Sequence, residues 1–245
     1  MSTTPKARTT LPVHHPCRSQ IYRRHVSAGA RFEEVGRAAV PSEYGQADDE
    51  EIQAGQLALA DLSTLPKTGF KGAGAPGWLE RQDKRLPNSP NFAVRQNDGS
   101  LIAQLSANEL LILSDLAANS DVVATLQDRY SLDTTERVYS LPRSDSHCWF
   151  ALTGKFAATA LAKICGVDLR AHKFALYEVA QTSLARVNAI ILRNDLDTTP
   201  CFFILSDVSS AEYLWDAFLD VMAEFNGGKV GIRALRALQA ESRVS

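Results

Sequence analysis

The sequence has no long apolar run. Nothing in it approaches the roughly 18 consecutive apolar residues of a membrane span, so a helical membrane anchor is not expected. It lacks basic excess as well: 26 Lys and Arg stand against 28 Asp and Glu, a net charge of −2, which gives no footprint for nucleic acid. Cysteines are few and scattered. Cys17, Cys148, Cys165 and Cys201 include no C-x-x-C pair, so they are expected to be buried or free thiols in a cytoplasmic protein rather than a disulfide frame. Met1–Arg18 is polar and rich in Pro and Thr, without the hydrophobic stretch of a secretory signal. Residues 1–18 are expected to be a disordered leader. No Walker loop, no G-x-G-x-x-G and no G-x-S-x-G elbow is present.

What is present is an ordinary globular composition, 45% hydrophobic and 22% charged over 245 residues. That length supports one domain, or two small ones, with a real core. Residues 19–45 mix isolated apolar positions with Gly29, Gly36 and Gly45 and suggest irregular structure or one short helix. Asp48–Gln56 suggests a helix start or an exposed connection.

From residue 57 a pattern begins and then repeats. A strand near Thr68–Ala73 leads through Gly72 and Gly74 to a short helix containing Trp78 and Leu79. An extended run, Asn91–Gln96, turns at Asn97-Asp98-Gly99 and returns as Leu101–Leu105. An Asp-Gly turn of this kind calls for positive φ at both residues. Glu109–Leu113 gives another strand. A helix over about 119–130 follows, with Val122, Val123, Leu126 and Tyr130 on one face. The second copy runs through a strand at His147–Thr153, a helix at Lys155–Cys165, and a long extended segment at Val179–Leu192. It ends with a strand at Cys201–Leu205 and a helix capped by Ser209 with Glu212 in a capping box. The expected fold is α+β, built from two similar strand-helix-strands-helix halves at about 57–130 and 147–225. The domain would span 19–228, leaving 229–245 as a C-terminal tail.

Each candidate for chemistry has a plainer reading. Gly69-x-x-Gly72-x-Gly74 lies where a phosphate cradle could, but tight strand-to-helix packing explains it without a ligand. His14, His15 and Cys17 cluster as metal ligands do, without a fourth ligand at a familiar spacing. His147 and Cys148 are strand neighbours and face opposite ways, so they do not share a metal easily. His172 has no partner legible in sequence. Asp48, Asp49, Glu50 and Glu51 read as a solvated helix face or linker. Arg186 is either a paired charge facing a ligand or a partner, or an exposed strand residue, and the two readings stand level. Trp149 and Trp215 fit core positions better than interface anchors.

The order of several segments resembles the aminomethyltransferase family, the glycine-cleavage T proteins, over about residues 19–225. The segments are Ile21-Tyr22, Ala28-Gly29-Ala30-Arg31-Phe32, Pro41, Tyr44-Gly45, Leu59-Ala60-Asp61-Leu62-Ser63, Asn97-Asp98-Gly99-Ser100-Leu101 and Phe150-Ala151-Leu152-Thr153-Gly154. The family binds tetrahydrofolate and holds a catalytic aspartate in a Gly-Gly-x-x-Asp-Asp segment. Here Ala103 and Gln104 stand at the two aspartate positions, and neither can ionise. The family's Gly-Tyr-Thr-Gly-Glu motif has no counterpart in the turn from Leu192 to Pro200. The chain ends near where the transferases begin a further barrel.

One subgroup, the γ subunits of heterotetrameric sarcosine oxidase and its relatives, is similar at three further segments. These are Asp61–Gly72, Val179–Val187 and Ala211–Asp216. That resemblance implies a non-catalytic chain with no catalytic, cofactor-binding or metal-binding residue of its own. It would work among α, β and δ subunits that hold flavin, NAD, tetrahydrofolate and zinc and oxidise N-methyl amines such as sarcosine. The alternative is a stand-alone folate-binding, one-carbon transferase-like protein using Asp115, Asp195 or Glu178 as substitute acids. A binding module for an unrelated ligand is the third possibility.

Overall fold

The structure is a computed structural model that describes residues 9–132 and 135–240. The N-terminal region contributes β1 (Thr9–Thr10), a 3-10 turn, α1 (Tyr22–Ser27), β2 (Arg31–Val35), β3 (Ala38–Glu43), α2 (Ala47–Gln56) and β4 (Ala58–Asp61). The first half follows as β5 (Lys67–Lys71), α3 (Ala75–Glu80), β6 (Phe92–Arg95), β7 (Leu101–Ser106), β8 (Glu109–Leu113) and α4 (Val122–Arg129). After β9 (Tyr139–Ser140) comes the second half: β10 (His147–Thr153), α5 (Ala157–Leu161), β11 (Val179–Leu184), β12 (Val187–Arg193), β13 (Cys201–Asp207) and α6 (Ala211–Ala223). The described chain closes with β14 (Gly228–Lys229) and α7 (Ile232–Ala240).

The two halves share one topology. One sheet runs β6-β7-β8-β5-β9 and the other β11-β12-β13-β10-β4-β14, so the four strands of each copy occur in the same order. The sheets lie face to face because their strands alternate between two apolar faces. Ala103 and Leu105 of β7, Leu111 and Leu113 of β8, Trp149 and Ala151 of β10, and Phe203 and Leu205 of β13 share the layer between the sheets. Their neighbours point outward. Cys148, Phe150, Leu152, Phe202 and Ile204 pack under α5 and α6, while Ile102, Leu110 and Ile112 pack under α3 and α4. Strands buried on both faces need near-continuous apolar runs, and Glu109–Leu113 and Cys201–Leu205 supply them. At one edge the sheets join: Ala93 N–H donates to Tyr177 O at 2.8 Å, and Val179 N–H to Asn91 O at 2.8 Å.

Mixed α+β architecture with two like halves is the expected fold. Several local expectations are corrected. Residues 9–18 are not a structureless leader: Thr9 and Thr10 pair with β2. Residues 1–8 of that expected leader lie outside the described residues. Residues 19–45 hold a helix and the β2–β3 hairpin. Ala58–Asp61, assigned to the first half, pairs with β10 and so belongs to the second sheet. The expected helix at 155–165 is confined to Ala157–Leu161. Val179–Leu192 is not one strand but a tight hairpin turning at Ala185-Arg186, with φ of 46° and 69°. In the Asn97–Gly99 turn only Gly99 is left-handed, with φ of 86°. It closes a turn in which Gly99 N–H donates to Gln96 O, the geometry of a longer hairpin loop with a bulge. Ser209 does not cap α6. Asp207 instead accepts from both Ser209 N and Oγ, and Ser210 takes the N-cap position without a side-chain bond.

The expected tail also folds. Ile232, Ala234, Leu235 and Leu238 of α7 join the same apolar core where the helix packs against α2 and β3. Arg233 and Arg236 reach back to Glu33, which is 1% exposed. Residues 241–245 of that tail lie outside the described residues.

Candidate functional site

The most buried polar cluster centres on Asp61, at the end of β4. His25 Nε2 approaches Asp61 Oδ2 at 2.8 Å, and Ser19 Oγ donates to the same oxygen. Ser63 N–H donates to Asp61 Oδ1 at 2.8 Å. Asp61 can only accept, so His25 Nε2 donates and Nδ1 is free to accept from the Tyr44 hydroxyl at 2.7 Å. The edge of Trp215 closes the other side, 4.9 Å from the His25 ring. Burial opposes ionisation of Asp61, but the bonds from His25, Ser19 and Ser63 outweigh it and hold the carboxyl below its ordinary range. Burial, with Asp61 and Glu50 nearby, pushes the Tyr44 hydroxyl well up. Lys67, fully buried, donates to Ser63 O at 2.6 Å, and burial lowers its amine to about 8. Asp61, His25 and Lys67 are sealed from solvent, so the cluster pins α1, β4 and α6 together rather than meeting a substrate. Asp61 and Ser63 lie in the Leu59–Ser63 segment and Tyr44 in the Tyr44-Gly45 segment that the resemblance singles out, but nothing in the sequence joins them to Ser19 and His25.

A cavity of about 820 Å³ lies between the halves. Along one wall Arg143 Nη2 donates to Glu109 Oε1 at 2.6 Å, and Arg143 Nη1 donates to His147 Nε2 at 2.8 Å. That leaves the His147 proton on Nδ1, 2.8 Å from Ser146 Oγ. Burial, Arg143 and Lys67 lower His147 to about 4, so it is neutral at physiological pH. Arg186 also lines this cavity. A second cleft, about 450 Å³, is bounded by residues 16–20, 35–38 and 63–66 and the start of α4.

Of the residues singled out from sequence as candidates for chemistry, His147 and Arg186 line the first cavity and Cys17 the second; the others lie elsewhere. Gly72 and Gly74 serve packing: a β-carbon there would meet Arg137 O at 2.0 Å and Glu136 O at 1.9 Å. His14 and Cys17 are exposed, and His15 Nε2 bonds Thr10 Oγ1 at 2.7 Å. No group of three or more metal-ligating side chains occurs among the described residues. His147 faces the large cavity while Cys148 faces the α5–α6 layer, where burial raises its thiol to about 12. The cysteines are free. His172 is exposed. Glu50 departs from the solvated reading of its charge run: it is buried, accepting from the backbone N–H of Tyr44, Gly45 and Gly231. Trp149 and Trp215 are core residues.

Ala103 on β7 is 1% exposed and lies in the apolar layer, paired with Ala93 and Leu111. Gln104, its neighbour, points the other way and is half-buried. Asp195 is held by Arg193 through two bonds, of 2.9 and 2.5 Å. Glu178 accepts from Ala175 N–H at 2.7 Å. Asp115 accepts from Ser120 N–H at 2.9 Å and Ala117 N–H at 3.2 Å. Each of these acids is occupied locally.

The sequence profile of the GCVT N-terminal domain matches residues 95–245, more than half of the chain. The chain belongs to the GCVT N-terminal domain family. An aminomethyltransferase of Frankia alni (strain DSM 45986 / CECT 9034 / ACN14a) is 25% identical over 241 residues, 91% of this chain and 63% of that protein. This GCVT-family chain therefore spans less than two thirds of that relative. A chain of the heterotetrameric sarcosine oxidase from Corynebacterium sp. U-96, in complex with pyrrole 2-carboxylate, superposes with a TM-score of 0.59 and 21% identity. The match covers 73% of this chain and 92% of that one. The glycine cleavage system aminomethyltransferase T from Bartonella henselae gives a TM-score of 0.71 at 17% identity, covering 93% of this chain and 63% of that one. Both likenesses concern the fold. Within this GCVT-family fold, Ala103 and Gln104, at the two positions where the resemblance expects aspartates, offer no carboxylate to a tetrahydrofolate. Ala103 offers no polar atom, and the surrounding layer is apolar.

Proposed function

We propose that this chain is a non-catalytic subunit of γ type in a flavoenzyme like heterotetrameric sarcosine oxidase. In that assembly, α, β and δ subunits hold the flavin, NAD, tetrahydrofolate and zinc and oxidise an N-methyl amine in the cytoplasm. The observation that carries the reading is Ala103, an alanine sealed at 1% exposure at one of the two positions where the family's Asp-Asp pair is expected, with Gln104 at the other. A protein that keeps the fold and closes the site retains a scaffold without its chemistry. Two facts support it. A chain of the Corynebacterium heterotetrameric sarcosine oxidase shares the fold, with a TM-score of 0.59. The acids weighed as substitutes, Asp115, Asp195 and Glu178, are engaged in turns and an ion pair.

The test is a tagged pull-down from native cells, read by mass spectrometry and visible absorbance. A yellow eluate with larger partners is expected, since flavin chemistry comes with the cofactor's own absorbance. A colourless eluate holding this chain alone would sink the proposal and return attention to a stand-alone protein.

A further inference from the structure

The β11–β12 hairpin turns on two residues, Ala185 and Arg186, both left-handed. A two-residue turn of this hand is cheap for Asn-Gly and strained for residues bearing a β-carbon. Strain of this kind persists only where surroundings over-determine it, and it gathers at functional positions. Here the clamps are visible. Ala185 N–H donates to Ile164 O at 2.8 Å, and the Tyr213 hydroxyl donates to Ala185 O at 2.9 Å. The turn is held in place, not left to wander.

Arg186 stands at its tip, exposed, with no hydrogen bond or ion pair among the described residues. Elsewhere in the second half Arg170 and Arg193 each hold an aspartate. Two hollows flank the tip, and Arg186 lines both. One is the cavity of about 820 Å³, bordered here by Ser183 and Asn188; the other, about 550 Å³, is bordered by Ile164, Tyr213 and Ala217. A rigid ridge with an unpaired guanidinium between two hollows suits a protein surface that straddles it. Net charge of −2 argues against a nucleic acid as that partner.

We infer that the tip of the β11–β12 hairpin docks a partner chain, and that Arg186 is received by an aspartate or glutamate of that partner. The planar fork of arginine matches a carboxylate through two parallel bonds. This inference rests on the subunit reading above and adds where, and through what chemistry, the subunit is held.

The test uses the full-length tagged chain in its native cells, as wild type, Arg186→Glu and the double variant A185N/R186G. A photo-crosslinking residue at Asn188, beside the tip, maps the contact. Four results are expected. Wild type retrieves its assembly, and the crosslink maps to a partner peptide containing an acid. Arg186→Glu binds at least tenfold more weakly with an unchanged melting temperature. Replacing the mapped acid with arginine restores binding to Arg186→Glu. The double variant melts higher than wild type, because Asn-Gly relieves the turn, yet binds as poorly as Arg186→Glu. A merely structural role for the turn cannot separate stability from binding in this way. Wild type and Arg186→Glu retrieving the same assembly equally would overturn the inference and leave the subunit reading standing. Retrieval of nothing by wild type would overturn both.

Discussion

His25 Nε2 lies 2.8 Å from Asp61 Oδ2, with the two side chains 1% and 0% exposed. The pair joins the short helix α1 to the end of β4, and the remaining lone pairs of Asp61 are met by Ser19 and Ser63. Removing one member of such a pair leaves the other buried without compensation, at about 3–5 kcal/mol. Asp61→Ala and His25→Ala are each expected to destabilise the protein by about 3 kcal/mol in urea unfolding, and the double variant by less than their sum. Additive losses would show that the two groups are not coupled. The sign with pH follows from the depressed folded value of Asp61. Its stabilising contribution is complete above the ordinary 3.8 and is lost as pH falls through the lower folded value.

His147 gives a second, separable pH effect. Its folded value, about 4, lies below the ordinary 6.5, through burial and then the neighbouring cations Arg143 and Lys67. Between those values the unfolded chain binds a proton that the folded chain refuses. Stability therefore falls as pH drops from 6.5 toward 4. His147→Asn is expected to flatten that slope. Urea midpoints at three pH values inside the window, for both proteins, check it, and parallel curves would be the contrary result.

The C-terminal helix α7 is expected to be essential to the core. Leu235 is fully buried where α7 packs against α2 and β3, and a buried Leu→Ala change costs about 2–5 kcal/mol. Leu235→Ala should fall in that range by chemical unfolding. A value near zero would return residues 229–240 to the status of a tail.

How much of this was legible follows from where the signals were local. Glu109–Leu113 and His147–Thr153 match their strands to the residue, because runs buried on both faces need apolar residues throughout. The repeat was legible because both copies keep the same order of strand, helix and hairpin. The Ala185-Arg186 turn was not, because it uses neither Gly nor Asn, and the residues on both sides are equally fit for one long strand. The helix α7 was missed because its apolar positions gain meaning only against elements distant in the chain. The His25–Asp61 pair was missed for the same reason, its members being 36 positions apart. The positions of Ala103 and Gln104 were found through family resemblance; that Ala103 is sealed and Gln104 half-buried belongs to the fold alone.

Ala103 allows a last test, by restoring the lost acid. If the folate site of the family survived here as an open pocket, Ala103→Asp would be tolerated. In the structure it would place a carboxylate in an apolar layer between Ala93 and Leu111. A buried charge without partners costs several kcal/mol even after relaxation. Ala103→Asp is therefore expected to lower the melting temperature sharply. Neither it nor the wild type should give heat with millimolar tetrahydrofolate in calorimetry. A stable Ala103→Asp protein that bound tetrahydrofolate would show that the layer opens, and would favour the stand-alone reading. A wild type that bound it would do so more strongly, since the acid would then be dispensable for recognition.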